Sequence, residues 1–76
     1  MLVSTRSEYH VVPADGRWAV EKGSTVTGTY DTKDQAIEQG RKAAKGALPS
    51  QLVVHKADGQ IETEYTYRDD PYPPQG

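Results

Sequence analysis

Tyr9-His10-Val11-Val12-Pro13-Ala14-Asp15-Gly16-Arg17-Trp18-Ala19-Val20-Glu21 decides the fold, because two β-rich runs flank a tripeptide with turn chemistry. An Asp-Gly between such runs is a strong short-range signal for a β-hairpin. The signal recurs in Leu52-Val53-Val54-His55-Lys56, Ala57-Asp58-Gly59, Gln60-Ile61-Glu62-Thr63-Glu64-Tyr65. Two similar hairpins or an internal duplication would both give this echo, and common turn chemistry is the simpler account.

Between the hairpins, Lys22-Gly23-Ser24 breaks the chain and Thr25-Val26-Thr27-Gly28-Thr29-Tyr30 reads as a third, weaker strand. Gly28 marks a bulge or an edge position in it. The pattern then changes period. Thr32-Lys33-Asp34-Gln35 is a capping box, and Ala36, Ile37, Gly40, Ala43 and Ala44 form a narrow apolar stripe at helical spacing. Asp34 suits the positive end of the helix dipole, Lys42 and Lys45 the negative end. Gly40 costs about 1 kcal/mol in mid-helix relative to Ala, so close approach of helix to sheet is the expected compensation. Gly46 is expected as the residue just past the helix, and Pro49 prevents its resumption.

The expected fold class is therefore α+β, a single helix on one face of a small, mainly antiparallel sheet in the order β-β-β-α-β-β. Residues 1–7 read as a flexible N-terminal arm, 8–67 as the domain and 68–76 as a Pro-rich extended tail. A chain of 76 residues is one domain at most and buries only roughly 60 % of its unfolded surface. It has no cysteine to staple it. No apolar run exceeds three residues, which excludes a membrane-spanning helix and a signal peptide and gives a soluble, cytoplasmic expectation. The net charge of −2 is unevenly spread, +2 over residues 33–46 and −4 over 57–76. Such a molecule lacks any global attraction to nucleic acid or membrane.

Register then assigns faces. With two-residue loops in both hairpins, Val11 pairs with Val20, His10 with Glu21, Leu52 with Tyr65, Val54 with Thr63 and His55 with Glu62. A three-residue second loop would set Leu52 against Glu64, so burial favours the shorter one. The helix-side face becomes Tyr9, Val11, Pro13, Trp18 and Val20 with Leu52, Val54, Ile61, Thr63, Tyr65 and Tyr67. The uncovered face holds Ala19, Gln60 and Glu64 and the candidate interaction residues His10, Val12, Arg17, Glu21, Val53, His55 and Glu62.

Two His/Glu pairs on one face suggest metal ligands, but cross-strand pairs of opposite charge are commonly sheet stabilisers of about 0.2–1 kcal/mol. No nucleophile or oxyanion donor stands at a recognisable spacing, so no catalytic, cofactor or metal residues are expected and the chain is read as a non-enzyme. Arg41, Lys42 and Lys45, with Lys33 as a fourth, are candidate polyanion contacts on a helix face that otherwise reads as solvated. Trp18 belongs under the helix. Tyr72 is a candidate anchor for the tail.

His10-Val11-Val12-Pro13, Asp15-Gly16, Trp18-Ala19-Val20, Asp31-Thr32-Lys33 with Ala36-Ile37, Leu52-Val53-Val54-His55 with Asp58-Gly59, and Asp70-Pro71-Tyr72-Pro73-Pro74 resemble a family of small bacterial proteins, domain of unknown function 2188. The resemblance implies a bacterial, cytosolic, stand-alone domain whose tail belongs to the unit. It implies no activity, cofactor or site residue. The expected function is that of a protein-interaction module that meets a partner protein or self-associates as a homodimer. Weak nucleic-acid binding through the basic helix face is the alternative.

Overall fold

The computed structural model of the chain describes residues 7–67. Within them the order is β1 (Ser7–Ala14), β2 (Arg17–Lys22), β3 (Thr25–Tyr30), α1 (Lys33–Lys45), β4 (Ser50–His55) and β5 (Ile61–Tyr67). The expected fold class is observed, and the third strand is a full member of the sheet. The first strand begins at Ser7, whose N–H donates to the Pro49 carbonyl at 3.0 Å. The expected arm otherwise, and the tail with Tyr72, lie outside the described residues.

The five strands stand in the order β3-β2-β1-β4-β5. β1 and β4 run parallel at the centre, and the other pairs are antiparallel. A parallel pair needs a crossover, and β3 followed by α1 carries the chain over one face to supply it. Helix formation starts as the capping box requires. The Thr32 hydroxyl accepts from the Gln35 N–H at 3.1 Å, and the Gln35 side-chain oxygen accepts from the Thr32 N–H at 3.3 Å.

At the other end Gly46 is the cap itself, in right-handed geometry with φ −84°, and its N–H bonds to the Lys42 and Ala43 carbonyls. Gly46 thus directly follows the helix as expected, but as its right-handed cap rather than as a left-handed residue beyond the cap. The buried Ser50 hydroxyl donates to the Ala44 carbonyl, which satisfies a helix-end acceptor and ties α1 to the start of β4.

Tyr9, Val11, Val20, Leu52 and Val54 meet Ala36 and Ala44 in the core, with Trp18, Tyr30, Ile37 and Tyr67 packed around it. Gly40 sits at the closest approach. A Cβ there would lie 2.9 Å from Leu52 Cδ1 and 3.5 Å from Val11 Cγ2, so the small-residue stripe lets the helix down onto the sheet. Gly28 lies on the outer strand beside a bulge, and a Cβ there would run into the Tyr30 hydroxyl.

The first hairpin has the expected register, with Val11 opposite Val20, His10 opposite Glu21, and Asp15 and Gly16 both at positive φ, 57° and 84°. The second departs from expectation at its tip. The Gly59 N–H donates to the Lys56 carbonyl at 2.9 Å and the Lys56 N–H to the Gln60 carbonyl at 2.7 Å, which closes a three-residue loop with Gly59 at φ 94°. His55 therefore faces Ile61, not Glu62. A bulge then absorbs Glu62 and restores Val54 opposite Thr63 and Leu52 opposite Tyr65, the register that burial demands.

One helix-side assignment is corrected, and two helix-side residues are less covered than expected. Ile61 pairs with His55 and is 54 % exposed, on the uncovered face. Pro13 lies exposed near the hairpin tip. Tyr65 is on the helix side but 41 % exposed. Five strands spaced about 4.8 Å apart make a sheet roughly twice as wide as a helix of ~10 Å diameter, so one helix leaves an outer strand bare. α1 packs on β1, β2, β4 and β3, and it meets β5 through the long side chains of Lys33, Arg41 and Lys45.

Candidate functional site

On β1 and β4 alternate residues turn away from α1, which brings His10, opposite Val53, and His55, two residues further along β4, onto the uncovered face. His10 Nδ1 stands 2.9 Å from His55 Nε2. The ring centroids are 5.1 Å apart with 29° between the planes. That separation is close to the N···N distance plus two ring radii, so the rings meet edge to edge, in line for an N–H···N hydrogen bond. They do not stack face to face.

The surroundings assign the protons. His55 Nδ1 lies 3.0 Å from the Gly59 carbonyl, which can only accept, so His55 carries its proton there. In the neutral pair His55 Nε2 is then the acceptor and His10 Nδ1 the donor. His10 Nε2 faces Glu8 Oε1 at 3.4 Å, a pair that bonds only when His10 carries a proton on both ring nitrogens. His10, His55 and the Gly59 turn thus form one hydrogen-bonded chain from β1 to the tip of the second hairpin. The gap between the imidazoles fits a proton, since two nitrogens aimed at each other at this distance leave no place for a metal. Among the described residues no group of three His, Cys, Asp or Glu side chains converges.

Of the candidate interaction residues, His10, Val12, Glu21, Val53 and His55 share this face, although Val53 is only 3 % exposed and Ala19 likewise 3 %, while Arg17 reaches a pocket it lines with Asp31, Gln35 and Glu38 at the helix. These two apolar side chains are hidden without any help from the helix. Arg17 pairs with Asp31 at 2.8 Å. Glu62 is corrected: the bulge turns it to the helix side, where it pairs with Lys33 rather than His55. The pattern missed this because one extra residue reverses every later alternation.

The basic trio stays together on one side of α1. Arg41 lies 5.8 Å from the Tyr65 ring centroid and Lys45 5.9 Å from that of Tyr67. With Lys42, Ile37, Asp34 and Glu38 they line a groove of about 500 Å³ along α1. Two carboxylates in the same groove break up the positive patch that a polyanion contact would need.

The family model described as "Uncharacterized protein conserved in bacteria (DUF2188)" matches residues 9–67. The chain belongs to this family. The match covers all five strands and the helix and ends at Tyr67, so Asp70-Pro71-Tyr72-Pro73-Pro74 falls outside it. A relative, the "Uncharacterized protein YycD" of Bacillus subtilis (strain 168), is 37 % identical over 57 residues, which span 74 % of this chain and 85 % of that protein. No solved structure matches significantly. Family membership brings the fold a bacterial setting and no chemistry. No helix among the described residues is long and apolar enough to cross a membrane.

Proposed function

We propose that the domain is a non-enzymatic interaction module that self-associates by adding the outer strand β3 to β3 of a second copy. The observation that carries this reading is the make-up of that edge. Thr25–Tyr30 has no charged residue and no proline, and Val26 is 53 % exposed beside Glu21 on the uncovered face. Outer strands are usually blunted by charge, and the opposite edge, β5, carries Glu62 and Glu64. The face itself is a poorer surface than the edge, because its central Ala19 and Val53 are already hidden. Threonines directly opposed across an antiparallel pair add favourable cross-strand contacts.

Light scattering coupled to size exclusion, run up to millimolar concentration, tests the reading. A concentration-dependent dimer that Val26→Lys abolishes, with the circular dichroism spectrum unchanged, supports it. A monomer at every concentration, or a dimer indifferent to Val26→Lys, rejects it.

A further inference from the structure

We propose that the C-terminal segment 68–76 docks back, within its own molecule, onto the ledge formed by Tyr65 and Tyr67 of β5 and the basic side of α1. This proposal is independent of β3 pairing, which uses the opposite edge of the sheet.

The ledge is incomplete as it stands. Tyr65 is 41 % exposed on the helix side of a strand the helix does not cover. The Tyr67 hydroxyl is buried without a hydrogen-bond partner among the described residues. Arg41 and Lys45 reach from α1 over these two rings and hold the basic wall beside them. A half-exposed aromatic floor with a cationic wall fits an extended segment that carries prolines for the rings and carboxylates for the bases. Proline-rich segments dock on aromatic-lined grooves in this way, since the polyproline conformation is set before binding and little entropy is lost.

The chain supplies such a segment at the ledge itself. Arg68-Asp69-Asp70-Pro71-Tyr72-Pro73-Pro74-Gln75-Gly76 follows directly from Tyr67. Asp69 and Asp70 come first, two and three residues after Tyr67, whose ring Lys45 overlies. Tyr72 is five residues beyond Tyr67, a reach of at most about 17 Å. Arg41 is four residues up the helix from Lys45, roughly 6 Å along its axis. The segment can therefore turn back and set Tyr72 and its flanking prolines against Tyr65 and Arg41. A tethered ligand acts at high effective concentration, so modest contacts hold it.

Nuclear magnetic resonance on the full-length, isotopically labelled chain decides the matter. Expected are cross-peaks from the Tyr72 ring and Pro73 to Tyr65 and Tyr67, unchanged on tenfold dilution. Tyr72→Ala should then shift the amide resonances of Tyr65, Tyr67 and Arg41 and leave Val26–Thr29 in place. Asp69→Asn combined with Asp70→Asn should weaken the same cross-peaks, more so at low salt than at high. Absence of cross-peaks, with Tyr65 and Arg41 unmoved in Tyr72→Ala, overturns the proposal. Contacts that fade on dilution and persist in an isotope-filtered mixture of labelled and unlabelled chains also overturn it, and assign the ledge to the tail of a second copy.

Discussion

His10 Nδ1 meets His55 Nε2 at 2.9 Å, edge to edge, across the parallel pair at the centre of the sheet. The link joins the first hairpin to the second, and through His55 Nδ1 it reaches the Gly59 carbonyl at the tip of the three-residue loop. In a double-mutant cycle at neutral pH, His10→Phe and His55→Phe should show a coupling of about 1 kcal/mol, the ordinary net worth of such a hydrogen bond. Long-range proton–nitrogen correlation spectra should place the neutral His55 proton on Nδ1. A proton on Nε2 would refute the assignment of donor and acceptor.

The same link accounts for what could not be read from the residues in order. Ala-Asp-Gly occurs in both hairpins, yet Asp15 and Gly16 both take positive φ in a two-residue loop, whereas in the second hairpin only Gly59 does. A tripeptide common to both turns cannot distinguish them. Longer-range contacts separate them: Asp58 Oδ1 accepts from the Gln60 N–H at 3.0 Å, His55 holds Gly59, and the bulge hands Glu62 to Lys33. Where apolar residues decided the register, as with Val11 opposite Val20 and Leu52 opposite Tyr65, alternation alone was enough. The uncovered-face grouping of His10 and His55 was likewise legible. Their direct bond was not, because it depends on β4 lying parallel beside β1, and strand order leaves no mark on local pattern.

Lys33 and Glu62 offer a test of the bulge. Their side chains are 27 % and 45 % exposed, so the pair is solvent-screened and a coupling of only about 0.2–1 kcal/mol is expected. Urea denaturation of Lys33→Met, Glu62→Gln and the double variant should show a coupling that shrinks with added salt. The pairing of Glu62 with His55, which the two-residue loop implies, would instead give a cycle between those two residues and none with Lys33.

The first turn should be intolerant at its glycine. Gly16 has φ 84° with open space around it, so the penalty for a side chain there comes from the backbone alone. Left-handed geometry costs an L-residue roughly 1–2 kcal/mol, and Gly16→Ala should lower stability by about that much. Gly46→Ala makes the contrast, since Gly46 has φ −84° and a Cβ there would come no nearer than 3.5 Å to the Lys42 carbonyl oxygen. A loss at Gly46 as large as that at Gly16 would contradict the right-handed cap.

Gly40 carries the strictest packing requirement. Two effects oppose each other when it is replaced: a better helix former gains up to about 1 kcal/mol, while forcing extra atoms into a filled core costs roughly 1–3 kcal/mol. Leu52 decides the balance. Its Cδ1 would lie 2.9 Å from the new Cβ, and Leu52 is 0 % exposed, so its side chain has no free volume to move into. Gly40→Ala should therefore be net destabilising, and Gly40→Val more so, because branching at Cβ adds two methyl groups where one already collides. Combining Gly40→Ala with Leu52→Val should recover part of the loss, since the shorter side chain vacates the contested space. Thermal melts of the three variants rank the outcomes, and a stability of Gly40→Ala above that of the parent chain would mean that α1 can lift off the sheet without cost.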